Sequence, residues 1–107
     1  QLSRVRFLAR AIVDIELHQS TMTFDDAIGF YIEQVGLSTD AARAEAVKNT
    51  MFPCTASMYW LGMQSILDLR AALTKSQGEK FSWKSFHDEL LGHGAIPVPL
   101  IARMMAQ

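Results

Sequence analysis

The chain has 107 residues, half of them hydrophobic, with ten Lys and Arg set against eleven Asp and Glu for a formal net charge of -1. That size suits one helical (sub)domain with a real core, and the balanced charge provides no bulk attraction to nucleic acid or to an anionic membrane. The one cysteine, Cys54, excludes an internal disulfide and leaves the compartment open; no apolar run approaches the roughly 20 residues of a membrane span.

The first 19 residues read as a helix without Gly or Pro. Leu2, Val5, Leu8, Ala9, Ile12 and Ile15 recur at helical spacing and predict its buried stripe. Arg6, Arg10, Asp14 and His18 stand four apart and form a second, polar stripe. Residues 20–23 break the helix. Thr23 with Asp26 three residues on has the form of a capping box for a second helix over residues 24–35. Phe24, Ala27, Ile28, Tyr31, Ile32 and Val35 are its core candidates, and Gly36 is its natural stop.

Ser38 or Thr39 caps a third helix of high intrinsic propensity. It ends before Pro53, because the residue ahead of a proline is pushed out of the α region. A fourth helix is expected over residues 54–75, opened by Pro53 and apolar nearly all round in its first half, the mark of a buried central helix. Ser82 caps a fifth helix over residues 83–91, stopped by Gly92 and Gly94. Residues 96–99 are an extended elbow before a last helix over residues 100–106. No strand alternation, repeat or charge block appears, so the pattern predicts an all-α orthogonal bundle of about six helices.

Chemistry is carried by few residues. A zinc site announces itself by paired ligands at fixed spacing, and neither HExxH nor CxxC is present, so no metal ligand is assigned. Cys54 follows Pro53 at a helix start, where a thiol is activated; without a placed histidine base it reads as a small buried cysteine. Tyr59 points from the first or second turn of the fourth helix, where a phenol can donate a hydrogen bond to an anionic oxygen, or else packs the helix start as a core tyrosine. In the polar stripe, Asp14 is placed to orient the His18 imidazole as a substrate or transition-state contact. The bland alternative is a solvated face with an Arg10–Asp14 ion pair. His87 reads as a partly buried helix histidine. A basic recognition helix is absent, which excludes nucleic acid.

Four stretches together resemble a known pattern. Arg10-Ala11-Ile12-Val13-Asp14-Ile15-Glu16-Leu17-His18, followed by Thr23 and Asp26-Ala27-Ile28, resembles the R-L-V-V-D-T-G-L-H, W-T and A-I segments of the bacterial family called domain of unknown function 885. Residues 53–62 resemble its P-G-Q-A-L-S-Y-K-I-G, and Leu69-Arg70 its following L-R. Phe81, Phe86-His87-Asp88, Leu90-Leu91 and Gly94-Ala95-Ile96-Pro97 resemble its final F, F-H-D, L-L and G-S-L-P-L. Order and spacing hold over nearly the whole chain. The sequence departs from the pattern at Cys54 and Thr55 (Gly and Gln), Glu16 (Gly), Met22 (Trp), Lys48 and Asn49 (Arg and Tyr) and Trp60 (Lys).

The resemblance is to the family's C-terminal part, and family members look like helical zinc metallopeptidases whose HExxH helix lies upstream. It implies a cleft-forming segment of such a protein, inactive alone, with zinc held elsewhere in the intact molecule. Tyr59 and His18 would then be catalytic, Arg10, Asp14 and Thr55 substrate-binding, and the partners a peptide substrate and the N-terminal remainder of the same protein. A chain that begins with Gln1 instead of Met fits an excised segment. The rival reading is a stand-alone helical interaction or dimerisation module, suggested by the apolar excess and six methionines.

Overall fold

In a computed structural model, which describes residues 2–106, the protein is all-α, with six helices and no strand among the described residues. Helix α1 spans Leu2–His18 and α2 Phe24–Phe30, the latter running into a π-helical turn at Tyr31–Val35. Helices α3 (Thr39–Met51), α4 (Thr55–Gln77), α5 (Trp83–Gly92) and α6 (Val98–Met105) follow. No helix among the described residues is long and apolar enough to cross a membrane. The chain divides into two compact units, residues 1–61 and 62–107.

Local chemistry sets most boundaries. The Thr23 hydroxyl accepts the Asp26 backbone N–H, and the Asp26 carboxylate accepts the Thr23 N–H, each at 3.1 Å. Two donors that a helix start leaves unpaired are thereby satisfied reciprocally. Gly36 ends the π turn in the left-handed region at φ 78°, a conformation that costs a glycine nothing. Ser38 and Ser82 cap α3 and α5 through bonds from the Ala41 and Ser85 N–H groups.

The core of the first unit consists of Ala9, Val13, Ala27, Tyr31, Ala42 and Ala46. Alanines at the crossing points let helix backbones approach closely. Tyr31 is the largest fully enclosed side chain there, and partly buried Phe24, Ile28 and Leu37 pack against this core.

The buried face of α1 is only in part the expected stripe. Val5, Leu8 and Ile15 are 42–50% exposed, while Ala9, Val13 and Asp14 are buried; the side chain of Leu2 lies outside the described residues. Two residues of the polar stripe, Arg10 and Asp14, turn inward because they find partners on α3 and at the start of α4, while Arg6 and His18 stay exposed; satisfied polar groups can be buried at little cost. The first half of α4 is not buried either. Met58 and Tyr59 are each 64% exposed, and the buried residues of this helix are Leu69 and Leu73 in its second half.

In the second unit, Leu69 and Leu73 of α4 enclose Phe86 of α5, with Phe81, Leu90, Ala102 and Met105 packed around them. The Arg70 guanidinium lies 4.7 Å from the centroid of the Trp83 ring, a cation–π contact between α4 and α5. Val98 and Pro99, expected in an extended elbow, form the first turn of α6, where a proline is tolerated.

Candidate functional site

Helix α4 begins at Thr55, not at Pro53 or Cys54. Cys54 is held at φ 69°, in the left-handed region. It is exposed, contrary to the buried cysteine expected, because it occupies the turn between α3 and α4 and not a helix face. It brings no oxygen to cap the helix that follows. The cap comes from α1 instead. The Asp14 carboxylate accepts the Cys54 N–H at 2.9 Å, the Ser57 N–H at 3.1 Å and the Ser57 hydroxyl at 2.8 Å. Ser57 is the third helical residue and Cys54 precedes the first, so one carboxylate makes both bonds that a capping box divides between two side chains.

Asp14 also fixes His18. The His18 Nδ1 lies 2.7 Å from the Asp14 carbonyl oxygen and 3.0 Å from its Oδ1. Both neighbours are acceptors, so Nδ1 carries a proton and donates it. The Asp14 side chain is only 2% exposed. Burial pushes its pKa up, but the bonds from Cys54 and Ser57 and the nearby His18 outweigh that and hold it below the usual carboxylate value.

The Arg10–Asp14 pair expected from their spacing does not form. Arg10 instead makes a two-pronged ion pair with Glu45, Nε to Oε2 at 2.8 Å and an amino group to Oε1 at 2.7 Å. The bond to Glu45 raises the Arg10 pKa and lowers that of Glu45. One turn further along α3, buried Asn49 donates to the Arg10 carbonyl at 3.2 Å and accepts the Tyr31 hydroxyl. The Tyr31 phenol is pushed well above its ordinary pKa, chiefly by burial.

Tyr59 stands on α4 beside a cavity of about 270 Å³ that Arg10, Glu45, Lys48, Phe52 and Thr55 also line. The Phe7 ring lies 6.4 Å from the Tyr59 ring and 5.7 Å from the Arg10 guanidinium, in contact with both. The structure thus brings three of the sequence-predicted site residues, Arg10, Thr55 and Tyr59, to one cavity. The other two, Asp14 and His18, do not line it; Asp14 connects them to it by holding the helix on which Tyr59 stands. Glu45 and Ser57 were not singled out from the sequence. No local pattern marks them, since their partners lie 35 and 43 positions away. His87 is exposed, not partly buried; it lies on the outer side of α5, its ring 5.4 Å from that of Phe86 and 6.1 Å from that of Trp83.

These features define an all-α protein in which a buried carboxylate joins a histidine to a helix carrying an exposed tyrosine. The chain matches the family model described as "Bacterial protein of unknown function (DUF885)" over residues 1–105 and belongs to that family. No curated protein and no solved structure matches it. The glycine that the family pattern carries at position 54 meets its physical reason in the positive φ found there.

Proposed function

We infer that this chain is the C-terminal, cleft-forming segment of a peptide-hydrolysing protein of the zinc-metallopeptidase type, with Tyr59 and His18 as its groups nearest the substrate. The observation that carries the reading is the Asp14 carboxylate, which holds the His18 ring and the first turn of α4 at once. The Tyr59 hydroxyl donates a hydrogen bond to the carbonyl oxygen of the substrate as that oxygen gains charge. Such a positioned donor is worth about 3–4 kcal/mol of barrier. His18 offers Nε2 to substrate as a hydrogen-bond or proton acceptor, while Asp14 acts through the groups it positions. Arg10 and Thr55 contact the bound peptide from the cavity wall.

Zinc is implied by the resemblance for the intact protein. Among the described residues no group of three His, Cys, Asp or Glu side chains is placed to hold a metal ion. In this reading the metal site belongs to other parts of the intact protein, and these 107 residues alone hydrolyse nothing, with or without added zinc. Activity from them would overturn that assignment. In the intact protein, Tyr59→Phe is expected to lower kcat at least a hundredfold with little change in KM; an unchanged kcat removes Tyr59 from the reaction.

Exposed apolar residues favour a second reading, a helical interaction module. Val5, Leu8 and Ile15 on α1 and Met51, Phe52 and Met58 around the α3–α4 turn are all exposed. A concentration-dependent dimer by light scattering, with Ile15→Glu monomeric, supports this module; a monomer at all concentrations counts against self-association.

A further inference from the structure

We propose that the cavity beside Tyr59 is a carboxylate-binding subsite in which Lys48 pairs with the anion. This rests on the peptidase reading and names its substrate class: peptides bearing a carboxylate close to the bond that is cleaved. The charges around the cavity do not balance. Arg10 and Lys48 line it together with a single carboxylate, Glu45. Arg6 adds a third positive charge to the field at Glu45. Both Glu45 oxygens are committed to Arg10, at 2.7 and 2.8 Å. Among the described residues no carboxylate lies within ion-pair distance of Lys48. The cavity is therefore lined by Lys48, a cation with no ion-pair partner among the described residues, beside apolar Phe52 and Ala56 and the hydroxyl-bearing Thr55 and Tyr59.

A carboxylate suits this arrangement better than a phosphate does. One cation and two hydroxyl-bearing residues match a single negative charge with two acceptor oxygens, whereas a phosphate monoester brings a charge of about -1.5 to -2 that one lysine leaves unbalanced. Arg10, the one guanidinium lining the cavity, is already forked to Glu45. A volume of about 270 Å³ admits one amino-acid residue, whose side chain would meet Phe52 and Ala56. Two sources supply the same chemistry: the free C-terminal carboxylate of a peptide, or an acidic side chain.

The test uses three peptides, alike except for a C-terminal acid, a C-terminal amide, or an amide with a Glu side chain near that end. In the intact protein, one of the two acids should exceed the neutral amide at least tenfold in kcat/KM, mainly through KM, and which acid does so identifies the source. Lys48→Met should bring the three within about twofold, and Lys48→Arg should restore the preference. Equal rates for all three in the unsubstituted protein, or a preference that survives Lys48→Met, overturns the subsite. Binding of N-acetylphenylalanine and of its amide, followed by NMR titration, reads the subsite without catalysis. The acid should bind, and its binding should be lost with Lys48→Met; failure of both probes to bind overturns the subsite. If the acid binds and no peptide is cleaved, the subsite stands and the peptidase reading alone fails.

Discussion

The Asp14 carboxylate accepts two bonds from Ser57, one from its backbone N–H at 3.1 Å and one from its hydroxyl at 2.8 Å, across 43 positions of sequence. A helix start needs its first N–H groups satisfied, and here a residue of another helix supplies the acceptor. The direction in which α4 leaves the turn, and with it the place of Tyr59, is thus set by a side chain on α1.

Asp14→Asn should therefore cost about 2–3 kcal/mol, because the charge-assisted bonds weaken and the buried amide brings donors that meet other donors. The pH dependence has a definite sign. The folded-state pKa of Asp14 lies below its ordinary value, so its contribution is fully present above the unfolded value of about 4 and is lost as the pH falls through the lower folded value. Glu45 is lowered as well and follows the same course. Urea midpoints measured between pH 7 and pH 3 should show the acid decline become shallower, though not absent, in the Asn variant. An unchanged decline would mean that Asp14 does not carry it.

Cys54 is a non-glycine residue at φ 69°. The left-handed region costs such a residue about 1–2 kcal/mol, while a glycine gives back part of the gain through greater freedom in the unfolded chain. Cys54→Gly should raise stability by about 0.5–1 kcal/mol in urea unfolding, and Cys54→Val, β-branched, should lower it. Both follow from the backbone alone, since the thiol is exposed. Equal stabilities for the three side chains would show that the turn relaxes out of this conformation.

Tyr31 is 1% exposed, and its hydroxyl is bonded to buried Asn49. Tyr31→Phe strands the Asn49 carbonyl oxygen and should cost about 1–3 kcal/mol. The raised pKa has the opposite sign of linkage from Asp14. The stability that comes from keeping the phenol neutral is present below the unfolded value of about 10 and is lost as the pH climbs toward the higher folded value. In an ultraviolet titration the native protein should show a late tyrosinate step that coincides with alkaline unfolding, and Tyr31→Phe should abolish that step.

Much of the helix punctuation is local chemistry, and it is legible for that reason. Thr23 with Asp26, Gly36, Ser38 and Ser82 all act where their sequence neighbours predict. The all-α class follows from the same period of about 3.6 residues that a sequence displays directly. The face that α1 buries is another matter. Hydrophobicity marks one stripe on that helix, of which Ala9 is buried while Val5, Leu8 and Ile15 are exposed. Arg10 and Asp14 of the polar stripe go inside because Glu45, Asn49, Cys54 and Ser57 receive them, and those partners lie 35 to 43 positions away. Helical spacing reports neighbours one turn apart, so it pairs Arg10 with Asp14 and misses the fork that Arg10 makes with Glu45. At Cys54 the trace in the sequence is indirect: a residue with a side chain stands where the family pattern has glycine.

Glu45 lies in the field of Arg10, Lys48 and Arg6, and its side chain is only 14% exposed. Removing its charge leaves a part-buried guanidinium without an anion, and losing one partner of such a pair costs more than the pair itself is worth. Glu45→Gln should destabilise the protein by about 2–3 kcal/mol, whereas Arg10→Lys, which keeps the charge but loses the fork, should cost about 1 kcal/mol. The excess positive charge in the Gln variant is repulsive and open to screening, so salt should recover part of the loss, with most of the recovery reached near 0.15 M, where the screening length is about 8 Å. A double-mutant cycle on Arg10 and Glu45 separates the pair from its surroundings. A coupling near zero, with no salt response in Glu45→Gln, would show that the fork contributes nothing to holding α1 against α3.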